Sequence, residues 1–142
     1  MSAHIAMSLS LLARQYPQYA AYQEGITVTA SAENTATHED AMLMMQFLRW
    51  GTELGLEDAL KTIFSDDFDP QKEFTASPEV GKILTFGEAL GTMVKQGLLN
   101  RGLVVDLLWV EGIWARVEPH ARKAREHADE PRLYENFEAL VK

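Results

Sequence analysis

Apolar residues recur at helical intervals along much of this 142-residue chain, with polar residues filling the positions between them. Ile5, Leu9, Leu12 and Tyr16 fall on one face of a first helix. Pro17 breaks or restarts it, and Tyr19 and Tyr22 follow before Gly25. Residues 26–37 (ITVTASAENTAT) are small, β-branched and polar. Ile26, Val28 and Ala30 alternate, but no second strand is evident to pair with them, so an extended linker is predicted.

Thr37 then offers an N-cap, and Glu39 and Asp40 sit in the first turn, where carboxylates complement the helix dipole. The helix that follows (AMLMMQFLRW) is rich in methionine and should end near Gly51 or Gly55. Leu56, Leu60, Ile63 and Phe64 mark a shorter helix, and the Asp, Pro and Ser content of SDDFDPQKEFTAS marks a loop. Ser77 with Pro78 is a strong start signal, because proline at the first helical position gives up an N–H that has no partner there anyway. From Val80 to Leu98 the stripe Val80, Ile83, Leu84, Gly87, Leu90, Gly91, Val94, Leu98 follows a 3.6-residue period. The segment from about Arg101 to Ala128 reads as helix, with Pro119 expected to kink or divide it. Pro131 opens a last helix carrying Leu133, Tyr134, Phe137, Leu140 and Val141.

The pattern predicts an all-α bundle of about five helices, one of them long and kinked near Pro119. It divides the chain into residues 1–37, an N-terminal helix and linker packing on the domain, and residues 38–142, the bundle. A chain of this length buries roughly 70% of its unfolded surface, enough for a core without covalent staples. Cysteine is absent, which removes disulfides, thiolate zinc sites and thiol nucleophiles together and fits a cytoplasmic location.

Charge changes the picture in one respect. The net charge is −8, and residues 1–73 hold 4 Lys+Arg against 11 Asp+Glu, whereas residues 115–142 hold 6 of each. Nucleic-acid affinity comes largely from cations that displace phosphate counterions, so no nucleic-acid partner is expected. An anionic membrane surface is disfavoured for the same reason. Ile5 to Ala13 is half a membrane span and lacks a preceding cation, and Leu103 to Trp114 is short and interrupted by Asp106 and Glu111, so no membrane span is expected either.

Candidate chemistry is sparse. Gly87 and Gly91 lie on the apolar stripe, and Gly112 on the next helix is a candidate counterpart; a small-xxx-small face of this kind serves either a dimer seam or close packing within one bundle. Asp106 is embedded in LVVDLLWV, where a buried carboxylate needs a cation such as Arg49, Arg101 or Arg132, or else acts as an acid or base. His120 and His127 are two helical turns apart, too far to chelate one ion, and neither Glu-x-x-His nor H-E-x-x-H occurs, so no metal and no other cofactor is expected. Asp67 fails as the start of a calcium loop, because Lys72 and Pro78 stand where that loop needs Gly and Glu. HARKAREH spreads its cations around a helix, a solvated face. Met42 and Met45 belong to a run that serves either as core or as an adaptable interface. Walker, nucleophile-elbow and dinucleotide motifs are all missing from the chain.

The C-terminal half, with its Trp-rich helix followed by Pro131 to Glu138 (PRLYENFE), resembles a bacterial family of small helical proteins of unknown function, over about residues 40–141. The resemblance implies an N-terminal membrane anchor in some relatives, for which this sequence offers no span, and it implies no activity. Three functions fit the residues, the third of them an enzyme that uses Asp106 as acid or base. The first is a non-enzymatic interaction or scaffold module that self-associates or binds another protein, with Gly87, Gly91, Met42 and Met45 at the interface. The second is a small-ligand or sensory domain whose pocket is lined by Trp109, Trp114 and Tyr134, with Asp106 or Arg132 as polar anchors.

Overall fold

The computed structural model describes residues 35–71 and 77–142, so the predicted first helix and most of the 26–37 linker lie outside the described residues. Six helices and no strand are found among the described residues, an all-α bundle as the apolar periodicity predicts.

Helix α1 (His38–Leu54) starts where Thr37 and Asp40 cap one another: the Asp40 N–H donates to Thr37 Oγ1 at 3.1 Å, and the Thr37 N–H donates to Asp40 Oδ2 at 2.7 Å. The same carboxylate accepts the Asn100 N–H at 2.8 Å, which fixes the start of α1 beside a chain segment 60 residues away. Gly55, at φ 78°, ends α1 by donating to Gly51 and Thr52 and starts α2 (Leu56–Ile63) in the same residue. Arg116 closes the other end of α2. Its guanidinium donates to the Ile63 carbonyl at 2.6 Å and the Phe68 carbonyl at 3.2 Å while lying 5.2 Å from the Phe68 ring centroid.

Helix α3 (Pro78–Lys95) has proline in its first turn as predicted, although the Ser77 hydroxyl makes no capping bond. The predicted long helix is split, and not at Pro119. Asn100 caps α4 (Arg101–Leu107) by accepting the Leu103 N–H at 3.0 Å, and Leu108 then turns extended at φ −120°, ψ 135°. Helix α5 (Val110–Ala128) runs through Pro119 without being divided. The last helix also starts later than predicted: residues 131–134 form turns, Tyr134 takes the left-handed conformation at φ 61°, and α6 spans Glu135–Leu140.

The core is shared. Its five most deeply buried large side chains are Met44, Ile63, Ile83, Val104 and Val117, one from each of α1 to α5. Helix α3 is central, packing on α1, α2, α5 and α6.

Candidate functional site

The glycine face of α3 is filled from within the chain. Helix α6 crosses it so closely that a Cβ on Gly91 would stand 2.8 Å from the Phe137 nitrogen and closer still to the Asn136 carbonyl, while a Cβ on Gly87 would overlap the Phe137 ring. Of the two readings of Gly87 and Gly91, a dimer seam or close packing within one bundle, these contacts correct the first and correspond to the second: their face is occupied by α6. Gly112 does not meet them, because the Trp109 indole lies across it.

Glu88, next to this seam, supplies the cap that α6 lacks. No side chain of α6's own flank caps it, since its N-cap position is the left-handed Tyr134. Glu88 Oε2 accepts the N–H groups of both Asn136 and Phe137 at 3.0 Å, and Oε1 accepts the Asn136 side-chain amide at 2.7 Å. That amide also reaches Thr92 Oγ1 at 3.1 Å. A carboxylate at a helix N-terminus satisfies two orphan donors and meets the positive end of the dipole at once. Around it, Arg125 donates to the Leu133 carbonyl at 2.7 Å and to Glu138 at 2.8 Å, and Arg101 donates to the Leu140 carbonyl at 2.8 Å. The Lys142 and Arg125 cations hold the Glu138 carboxyl below its usual range. Hydrogen bonds from Arg132 and then Lys95 hold Glu135 down to about 2.

The pocket predicted from Trp109, Trp114 and Tyr134 is not assembled. Trp114 is core, 6% exposed and edge-on to Phe137 with centroids 5.0 Å apart. Trp109 is 69% exposed, on the surface at the head of α5. Tyr134 lines two other depressions. In a shallow one it joins Arg132 and Glu88; in a groove of about 680 Å³ it joins Val80, Leu84, His120, Ala124 and Leu133. His120 is 5% exposed there and stacked on Phe68. Asp106 corrects a second expectation. It is exposed, because the turn at Leu108 ends α4 after two turns and leaves that side of it facing solvent. Arg49, one of its proposed partners, pairs with Glu53, and Arg132 pairs with Glu135.

The surface holds the more unusual arrangement. Trp109 stacks on Phe64, ring centroids 5.7 Å apart and planes 12° from parallel, although Phe64 is itself 41% exposed. Leu107, 50% exposed, stands two residues from Trp109, and a depression of about 310 Å³ runs beside it, lined by Arg101, Val105, Leu108, Trp109 and Glu111. The methionine run divides: Met44 is core, while Met42 and Met45 are exposed. Among the described residues no group of His, Asp or Glu is placed to hold a metal ion, and no helix is long and apolar enough to cross a membrane.

A family model described as "Domain of unknown function (DUF4760)" matches residues 4–142. The chain belongs to this family. No curated protein matches the chain, and no solved structure does. The DUF4760 match extends over the N-terminal tract as well as the C-terminal half on which the sequence resemblance rests. Within this DUF4760 chain, two features escaped the sequence. Glu88 lies off the apolar stripe of its helix and carries no local signal, since its partners are 48 and 49 positions away. Phe64 was assigned to the apolar side of its helix, and nothing local announced that Trp109 would cover it from outside.

Proposed function

We propose that this chain is a non-enzymatic interaction module that engages a protein partner through the exposed Phe64–Trp109 pair. One observation carries the reading. Two stacked aromatic rings and a leucine stand at the surface, where Trp is the residue most enriched among binding hot spots. The glycine face, occupied by α6, lends no support to self-association, and the exposed Met42 and Met45 are offered as secondary contacts. A photo-crosslinking residue at position 107, introduced in the source cells, tests the reading. It is expected to trap a protein adduct that the same residue at exposed position 85 does not; equal labelling at both positions overturns it. Light scattering on gel-filtered protein at micromolar concentration reads whether that partner is a second copy.

A second reading, a small-ligand or sensory domain, is favoured by the groove that Tyr134 and His120 line. A ligand seated there raises the melting temperature of the native chain and not that of Ala124→Trp, which fills the groove. Equal stabilisation of both removes the reading.

A further inference from the structure

The proposed interaction surface has a charge as well as an apolar face, and the charge selects the partner. Segment 57–67, which carries Phe64, holds Glu57, Asp58, Asp66 and Asp67 against Lys61 as its one cation. Lys61 is already engaged by Glu57 at 2.7 Å and by Asp58 at 3.7 Å. Asp66 and Asp67 follow Phe64 by two and three residues, in the turn that leaves α2, and both are exposed. Along the chain, Asp106 and Glu111 are exposed three residues before and two residues after Trp109, and Glu111 lines the same depression as the indole. The nearby guanidinium groups are already engaged: Arg116 donates to the Ile63 and Phe68 carbonyls, and Arg101, which lines the same depression as Trp109, donates to the Leu140 carbonyl.

We infer that the Phe64–Trp109 platform, rimmed by Asp66, Asp67, Asp106 and Glu111, docks a basic amphipathic helix of another protein. The inference rests on the interaction-module reading and names its partner class. Apolar side chains of such a helix cover Leu107 and the ring pair. Its Lys or Arg side chains meet the carboxylate rim, and one lies over the outer face of the indole, where the ring quadrupole attracts a cation. Charge complementarity argues against a second copy at this place, because two copies would bring like-charged rims together around one apolar patch.

The test uses the full chain and three labelled synthetic helices of one apolar pattern, with Lys, Gln or Glu at every polar position, followed by fluorescence anisotropy. The Lys helix is expected to bind. Trp109→Ala should weaken it at least about tenfold, the size of a hot-spot loss. Asp66→Asn/Asp67→Asn/Glu111→Gln should weaken it too and flatten its dependence on salt up to about 0.5 M. These substitutions are at exposed positions, and circular dichroism confirms that each variant is folded. Binding of the Lys helix that ignores both variants overturns the inference. Trp109-dependent binding of the Gln or Glu helix at equal strength also overturns it, while leaving the interaction reading intact. If the position-107 crosslinker traps no protein, the interaction reading itself fails, whatever the peptides do.

Discussion

Among the described residues an aromatic ring is laid too close for a Cβ across Gly87 and across Gly112, and the two rings have opposite fates. Phe137 covers Gly87 and is then enclosed, with Trp114 at its edge and Glu88 holding the backbone N–H beside it. Trp109 covers Gly112 and Phe64 yet keeps 69% of its surface open. A glycine beneath a ring therefore does not mark an interface or a core by itself. What decides is whether another element of the chain closes over the far face of the ring, and at Trp109 none of the described elements does so completely.

If the contrast is right, damage to the first site acts on stability and damage to the second acts on binding. Phe137→Ala should lower unfolding free energy by about 4 kcal/mol, the usual loss for a buried phenylalanine, read by urea denaturation. Next comes Gly91→Ala, at about 3 kcal/mol, because the new methyl meets backbone that cannot rotate away. Gly87→Ala meets a side chain instead, so combining it with Phe137→Ala should cost less than the sum of the two single changes, whereas Gly91→Ala with Phe137→Ala should be closer to additive. Glu88→Ala orphans two backbone donors and should remove about 2 kcal/mol. Trp109→Ala should change stability by no more than about 1 kcal/mol, the scale of one aromatic pair. A loss as large as that of Phe137 would break the comparison.

The smallest effect is a pH dependence. Glu135 has its folded pKa depressed to about 2 from 4.5, so its contribution is present above about pH 4.5 and is lost as the pH falls through the folded value. Glu135→Gln should therefore flatten the fall in melting temperature between pH 5 and pH 2 relative to the native chain. Parallel curves would show that the Arg132 and Lys95 pairs add nothing, as exposed pairs often do.

Much of the helical pattern was legible in the sequence, and the exceptions share a cause. Thr37 with Asp40 and Ser77 with Pro78 are local signals, and α1 and α3 begin where those signals stand. The break at Leu108 was invisible because neither it nor its immediate neighbours Leu107, Trp109 and Val110 are Gly, Pro or polar, while Pro119 drew attention to a place where the helix continues. Burial of Asp106 was inferred from its neighbours on the assumption of one long helix, and it failed with that assumption. The late start of α6 was hidden for a related reason. Pro131 is a start signal in isolation, but the N-terminus it should have capped is set at Glu135 by Glu88, a residue of another helix.

The Glu88 clasp also bears on the order of events in folding. It joins residues 48 and 49 positions apart, so it forms only after a long loop has closed, whereas the bonds inside α1 and α2 span single turns. Helices α1 and α2 can take shape while α6 is still unplaced. Substitution of Glu88 is then expected to leave the refolding rate nearly unchanged and to quicken unfolding, a shift confined to one limb of the chevron in stopped-flow measurements.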